Sequence, residues 1–213
     1  MENRNYGHWS DNGKEYIITE KKTPRHWYNY FFNDTYNAFI SQVGYGEGFV
    51  QDNLGNRIPL VNDRCVYICD KDNGKWHTAC ALPMSEKFDA YECRHGLGYS
   101  TVVCEKNGIL SEYTVFVPTD GCFEEWIVRV TNKRNTAAKL SAIAFADTDC
   151  DGKYTPQGYN SHSADVLEGN IGICASVIAN FESTRKRVYE YMMCSEKIIG
   201  YDTRRKRYFR NKG

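Results

Sequence analysis

The sequence predicts an all-β chain, an antiparallel super-sandwich of two large facing sheets with few short helices, and three observations carry that expectation. Short runs rich in β-branched and aromatic residues recur along the 213 residues, and turn-forming Asn-Gly and Asp-Gly pairs fall between them. No stretch repeats its apolar residues at the three-and-four spacing of a helix face. Many short strands at regular spacing mean a sandwich or barrel rather than alternating strands and helices.

In chain order, Val66-Tyr67-Ile68 is the first apolar run, followed by Thr101-Val102-Val103-Cys104 and Tyr113-Thr114-Val115-Phe116-Val117. In Trp126-Ile127-Val128-Arg129-Val130 the odd and even positions differ in polarity, as when one face of a strand meets a core. Leu140 to Phe145, Ile171 to Ala179 and Val188 to Met193 complete the set. Asn12-Gly13, Asn73-Gly74, Asn107-Gly108 and Asp120-Gly121 offer the positive φ that tight hairpin turns demand. With no repeat, low-complexity tract or Pro/Ser linker to divide it, the chain reads as one domain over residues 1–213.

A content of 41% hydrophobic and 25% charged residues is that of a globular protein. The unusual feature is 14% aromatics, with 16 tyrosines and 4 tryptophans, a composition that suits a pleated surface and the stacking of sugars. Lys+Arg 27 against Asp+Glu 27 cancels the field that would draw the chain to nucleic acid or to an anionic membrane. The first residues lack the apolar run of a signal peptide and no stretch is long enough to span a bilayer, so a cytoplasmic location is expected. Nine cysteines without a Cys-x-x-Cys pair argue against zinc and for reduced thiols in the core.

The most distinctive segment is Tyr91-Glu92-Cys93-Arg94-His95-Gly96-Leu97-Gly98-Tyr99. Its alternating glycines predict a close backbone approach or a bulge leading into the next strand. His95 has the chemistry of a proton carrier, but a lone histidine beside a turn more often serves as a structural hydrogen-bonder, which is the preferred reading.

This segment resembles the signature of the cellobiose phosphorylase family of inverting glycoside phosphorylases, in that family's amino-terminal β-domain. Further similarities lie in the same order on both sides: Tyr6-Gly7-His8-Trp9, Glu15 to Thr19, Thr23-Pro24 and Trp27 to Tyr30 ahead of it, with Arg64 to Asp70 between. Asn107-Gly108-Ile109, Phe116-Val117-Pro118, Val130-Thr131-Asn132 and Gly200-Tyr201-Asp202-Thr203 follow it.

The resemblance implies a parent enzyme that cleaves a β-linked glucosyl disaccharide with inorganic phosphate, inverting the anomeric centre to give an α-sugar 1-phosphate. In the family an aspartic acid of a helical barrel domain protonates the glycosidic oxygen while phosphate attacks, so no base is needed to activate water. The barrel has no counterpart before Gly213, so the resemblance assigns no catalytic residue and no cofactor here and implies that this chain alone is inactive. It also implies that the β-domain continues beyond Gly213, that the barrel is supplied as a domain or a separate subunit, and that the assembly is a homodimer.

In such dimers the β-domain lends a loop to the acceptor side of the partner's active site. The matching loop, Asp147 to Ser163, carries Tyr154, Tyr159, Asn160, Ser161 and His162, and Tyr159, Asn160 and His162 are the expected substrate-binding residues by position. It lacks the arginine that some members carry there. Its opening, Asp147 to Gly152, imitates a calcium loop, but the twelfth position is Gly158 where a bidentate acid is required, so no metal is expected. The basic clusters Arg185 to Arg187 and Arg204 to Arg207 are read as solvated strand ends. A free-standing carbohydrate-binding module is the alternative that the aromatic excess supports.

Overall fold

The computed structural model describes residues 5–84, 87–148, 163–181 and 184–203. The backbone forms two compact units, Met1–Asp149 and Cys150–Gly213. The first runs through β1 (Gly7–Trp9), β2 (Glu15–Ile18), β3 (Tyr28–Phe32), β4 (Asn37–Ser41), β5 (Gly46–Gln51), β6 (Arg57–Val61), β7 (Asp63–Asp70), β8 (Lys75–Thr78), β9 (Ala90–Gly96), β10 (Tyr99–Lys106), β11 (Ile109–Phe116), β12 (Glu125–Asn132) and β13 (Leu140–Asp147). They pair antiparallel in three sheets, ordered β1-β2-β9-β10-β11-β12, β3-β4-β5-β6 and β13-β7-β8.

The six-stranded sheet shows how sequence becomes layer. Along β11 buried and half-buried residues alternate without a break, Ile109, Ser111, Tyr113 and Val115 pointing inward and Leu110, Glu112 and Thr114 outward. Asn107-Gly108 joins β10 to β11 as the expected two-residue turn, with φ of 52° and 71°, and pins Lys106 opposite Ile109. That register puts Val102 and Cys104 of β10 on the inner face, where both are buried. Each such apolar side chain contributes on the order of 1.5–3 kcal/mol of transfer free energy.

Phe31, Ala38, Ile40 and Ile58 close the core from the four-stranded sheet. Gly44, in the β4–β5 corner, has a φ of +89°, and a Cβ built there would lie 2.4 Å from Cys80 Cβ, so both backbone and space require glycine.

All seven expected strands are present, five of them within longer ones, while β11 stops at Phe116, one residue short of Val117, and β15 opens at Gly172, one residue after Ile171. Gly96 does not sit in a bulge: β9 pairs with β10 in unbroken register from Gly96–Tyr99 to Ala90–Glu105. The close approach at Gly96 is made by the Tyr99 ring, 2.4 Å from where a Cβ would lie. Of the cysteines described, eight in number, none is in a disulfide, and burial pushes the thiols of Cys80 and Cys104 up to about 12.

The second unit holds β14 (Ser163–Val166), a 3-10 turn (Glu168–Asn170), β15 (Gly172–Phe181) and β16 (Thr184–Met193), an antiparallel sheet in that order. Cys194 N–H to Ile171 O, 2.7 Å, and Ile198 N–H to Asn170 O, 2.8 Å, hold the following segment against the turn. Among the described residues no helix is long and apolar enough to cross a membrane.

Candidate functional site

The Tyr91 to Tyr99 segment proves to be a polar clasp between two sheets. His95 Nε2 lies 3.1 Å from Trp27 O and Nδ1 lies 2.8 Å from Ser100 Oγ. A carbonyl only accepts, so Nε2 carries the proton and donates it, which leaves Nδ1 to accept from the Ser100 hydroxyl. Asn29 Nδ2 in turn donates to Ser100 Oγ at 3.1 Å and to Gly96 O and Tyr99 O, both at 2.8 Å.

Both imidazole nitrogens are therefore engaged, and burial lowers the pKa of His95 against the opposing effect of the Trp27 carbonyl. With both nitrogens bonded to groups of its own chain, the imidazole ties the residue preceding β3 to the start of β10. The structural reading of His95 holds.

Gln42 completes the clasp. Its backbone N–H donates to Trp27 O at 3.1 Å, its Oε1 accepts from Trp27 N–H at 2.9 Å, and its Nε2 donates to Thr23 Oγ1 at 2.7 Å. Tyr91 reaches across from β9 to donate its hydroxyl to Gln42 O.

A second clasp is ionic. Arg64, at the start of β7, has a fully buried side chain whose Nε lies 3.2 Å from Glu124 Oε1, and Nη2 donates to Phe39 O at 3.0 Å. Glu124 also accepts from Trp126 Nε1 at 2.6 Å and from the Tyr36 hydroxyl at 3.2 Å. Burial and this carboxylate push the Tyr36 phenol well above its usual range.

The outer face of the six-stranded sheet carries a shallow depression of about 520 Å³, lined among others by Glu15, Glu92, Glu105, Glu112, Arg94, Arg129 and Lys133. Each cation there faces a carboxylate: Arg94 with Glu92 at 2.5 Å, Lys133 with Glu105 at 2.7 Å, Arg129 with Glu112 at 3.8 Å. Pairing and an excess of carboxylates make this a poor seat for phosphate, and exposed pairs of this kind add about 0–1 kcal/mol each to stability. The depression reads as a solvated sheet face.

The expected substrate-binding residues Tyr159, Asn160 and His162 lie outside the described residues, as do Tyr154, Ser161 and the cluster Arg204 to Arg207. Only the ends of the loop are described. Asp147 closes β13 opposite Asp63, its carbonyl accepting from Asn62 N–H at 2.8 Å, and Ser163 opens β14 opposite Ser176.

Asn29, Gln42, Ser100, Arg64, Glu124 and Tyr36 are the structural residues that sequence reasoning did not assign. For Arg64 a signal existed: a charge flush against the apolar run Cys65 to Cys69 requires a buried counter-charge. Nothing comparable marks Glu124.

Comparison with known proteins bears on the same residues. A family model described as glycosyl hydrolase 94, supersandwich domain, matches residues 14–213. A 3-O-beta-D-glucopyranosyl-beta-D-glucuronide phosphorylase of Paenibacillus borealis is 39% identical over 127 residues, 60% of this chain and 16% of that protein. A solabiose phosphorylase of the same organism is 26% identical over 98% of this chain and 28% of its own length. An N,N'-diacetylchitobiose phosphorylase of Vibrio proteolyticus is 30% identical over 67% of this chain and 19% of its own length. The chain thus spans between 16% and 28% of the length of these relatives.

Proposed function

Since residues 14–213 match its model, the chain belongs to the glycosyl hydrolase 94 supersandwich-domain family, and from that premise we propose that it serves as the amino-terminal accessory domain of a glycoside phosphorylase. The observation that carries this reading is the breadth of the family match together with relatives that are phosphorylases. The described residues fit a supporting role: the histidine of the signature and the buried ion pair both act within the fold.

In the proposed parent reaction phosphate attacks the anomeric carbon of a β-linked disaccharide. The glycosidic C–O bond breaks as the new C–O–P bond forms, and the leaving oxygen takes a proton from an acid on the catalytic barrel. This domain's share is to support the barrel, to help form a homodimer and to present the 147–163 loop to the acceptor sugar. We place the parent enzyme in the cytoplasm.

The test is reconstitution. The chain, joined to or mixed with the catalytic part of a family phosphorylase, is assayed for α-sugar 1-phosphate, and Tyr159→Ala, Asn160→Ala and His162→Ala are compared with the parent. An acceptor-side role predicts a raised KM for the acceptor in the synthetic direction with little change in kcat. Unchanged kinetics in all three variants would remove the loop from the site.

A further inference from the structure

The outer face of the four-stranded sheet carries aromatic side chains where solvent-facing positions normally carry polar ones. Tyr28, Tyr30 and Phe32 alternate along the edge strand β3 and are 37%, 66% and 73% exposed, while Phe31 between them points into the core. The two tyrosine rings lie 6.3 Å apart. Phe39, opposite Tyr30 on β4, braces both, at 5.3 Å from the Tyr28 ring and 5.8 Å from the Tyr30 ring. Behind them the Arg57 guanidinium lies 3.9 Å from the centre of the Phe49 ring and 5.5 Å from that of Phe39, with its charge neutralised by Glu47.

We infer that this face is a saccharide-binding platform for a neutral, β-linked oligosaccharide of two or three pyranose units, distinct from the 147–163 loop. The inference rests on the proposed phosphorylase reading for the class of ligand, and on three observations for the place.

The first is size. At about 200 Å² for a whole aromatic side chain, the exposed parts of Tyr28, Tyr30 and Phe32 amount to roughly 350 Å². A stable protein–protein interface requires about 800 Å² from each partner. The second is charge: the Arg57–Glu47 pair leaves the platform without net charge, so it favours neither a polyanion nor a charged partner. The third is shape. Residues two apart on a strand are about 7 Å apart, so three rings present roughly 14 Å of ring surface. A β-linked pyranose with equatorial hydroxyls is a disc with C–H groups on its faces and hydroxyls at its rim. The C–H faces suit the rings, and the tyrosine hydroxyls and the Arg57–Glu47 pair are within the same face for the rim.

Calorimetric titration of the full chain with cellotriose tests the inference. Saturable binding is expected, weakened about tenfold by Tyr30→Ala or Phe32→Ala and restored by Tyr30→Trp, with unchanged melting because both rings are exposed. A disaccharide bearing a glucuronate is expected to bind no better. Absence of binding by the folded chain would overturn the inference, as would binding that the ring variants leave intact, which would put the sugar elsewhere. A wild-type dimer in sedimentation that Tyr30→Ala converts to monomer would assign the face to a second copy instead. Failure of the phosphorylase reading is distinguishable, since it removes sugar phosphate formation on reconstitution and leaves cellotriose binding unchanged.

Discussion

Replacing Glu124 with alanine isolates the physical weight of the buried ionic clasp. The carboxylate, in a side chain 4% exposed, is 3.2 Å from Arg64 Nε, 2.6 Å from Trp126 Nε1 and 3.2 Å from the Tyr36 hydroxyl. Its removal takes the largest balancing charge from a guanidinium that is wholly inaccessible to water, which keeps its hydrogen bond to Phe39 O at 3.0 Å and the weaker pull of Asp63. Breaking one side of such a pair costs about 3–5 kcal/mol, because the remaining charge stays desolvated without compensation.

A unit of this size loses about 2–4 °C of melting temperature per kcal/mol, which with a loss of about 3–5 kcal/mol predicts a fall of about 6–20 °C. Circular dichroism melts and urea titrations read it directly. Removing both charges, with Arg64→Met and Glu124→Leu together, leaves no stranded ion and is expected to recover most of the loss, with a coupling of about 2 kcal/mol or more. A single Glu124→Ala variant within about 0.5 kcal/mol of the parent, a change typical of surface sites, would refute the reasoning. So would a double variant that merely sums the two singles.

Three further outcomes follow from the same contacts. Burial lowers the pKa of His95, so the unfolded chain binds its proton at a higher pH, about 6.5, than the folded chain does. The contribution of the neutral imidazole is therefore complete above about pH 6.5 and is lost as pH falls from there through the lowered folded value. Urea midpoints taken from pH 7.5 to 5 are expected to fall less steeply in His95→Gln; equal slopes would show that the clasp tolerates the charged ring. Gly44→Ala combines a left-handed φ with a clash against Cys80 and is expected to destabilise by about 2 kcal/mol or more, measured by chemical unfolding. Gly13→Ala shares the positive φ but has no atom within 4 Å of the new methyl, so it is expected to cost less than Gly44→Ala in the same measurement.

The β10–β11 hairpin was legible because local and global signals agree there. Strict alternation names the buried face, and Asn107-Gly108 fixes the register. The four-stranded sheet was opaque for the opposite reason. In β3 the outward positions are rings and one inward position is Asn29, so the polarity pattern is reversed, and in β5 the buried inward positions are Gly46 and Gly48.

Those two glycines are set by neighbours that sequence does not reveal. A Cβ at Gly46 would lie 1.9 Å from Phe39 O, and one at Gly48 would lie 1.9 Å from the Tyr36 hydroxyl. The Tyr91 to Tyr99 segment was recognisable as special, but its role was not. The partners that define it, Asn29 and Trp27, lie 67 and 68 residues away from their contacts at Gly96 and His95. The proposal of Tyr159, Asn160 and His162 as acceptor-side residues rests on position in the chain alone.

The proposed function holds that this polypeptide supplies architecture and that the bond-breaking groups lie on the catalytic part of a parent phosphorylase. The most direct measurement is phosphorus NMR of the purified, folded chain incubated with inorganic phosphate and β-linked glucosyl and N-acetylglucosaminyl disaccharides. The expected result is no α-sugar 1-phosphate from the chain alone, with the signal emerging only when the catalytic part is added. Steady accumulation of sugar 1-phosphate by the chain by itself would contradict the account.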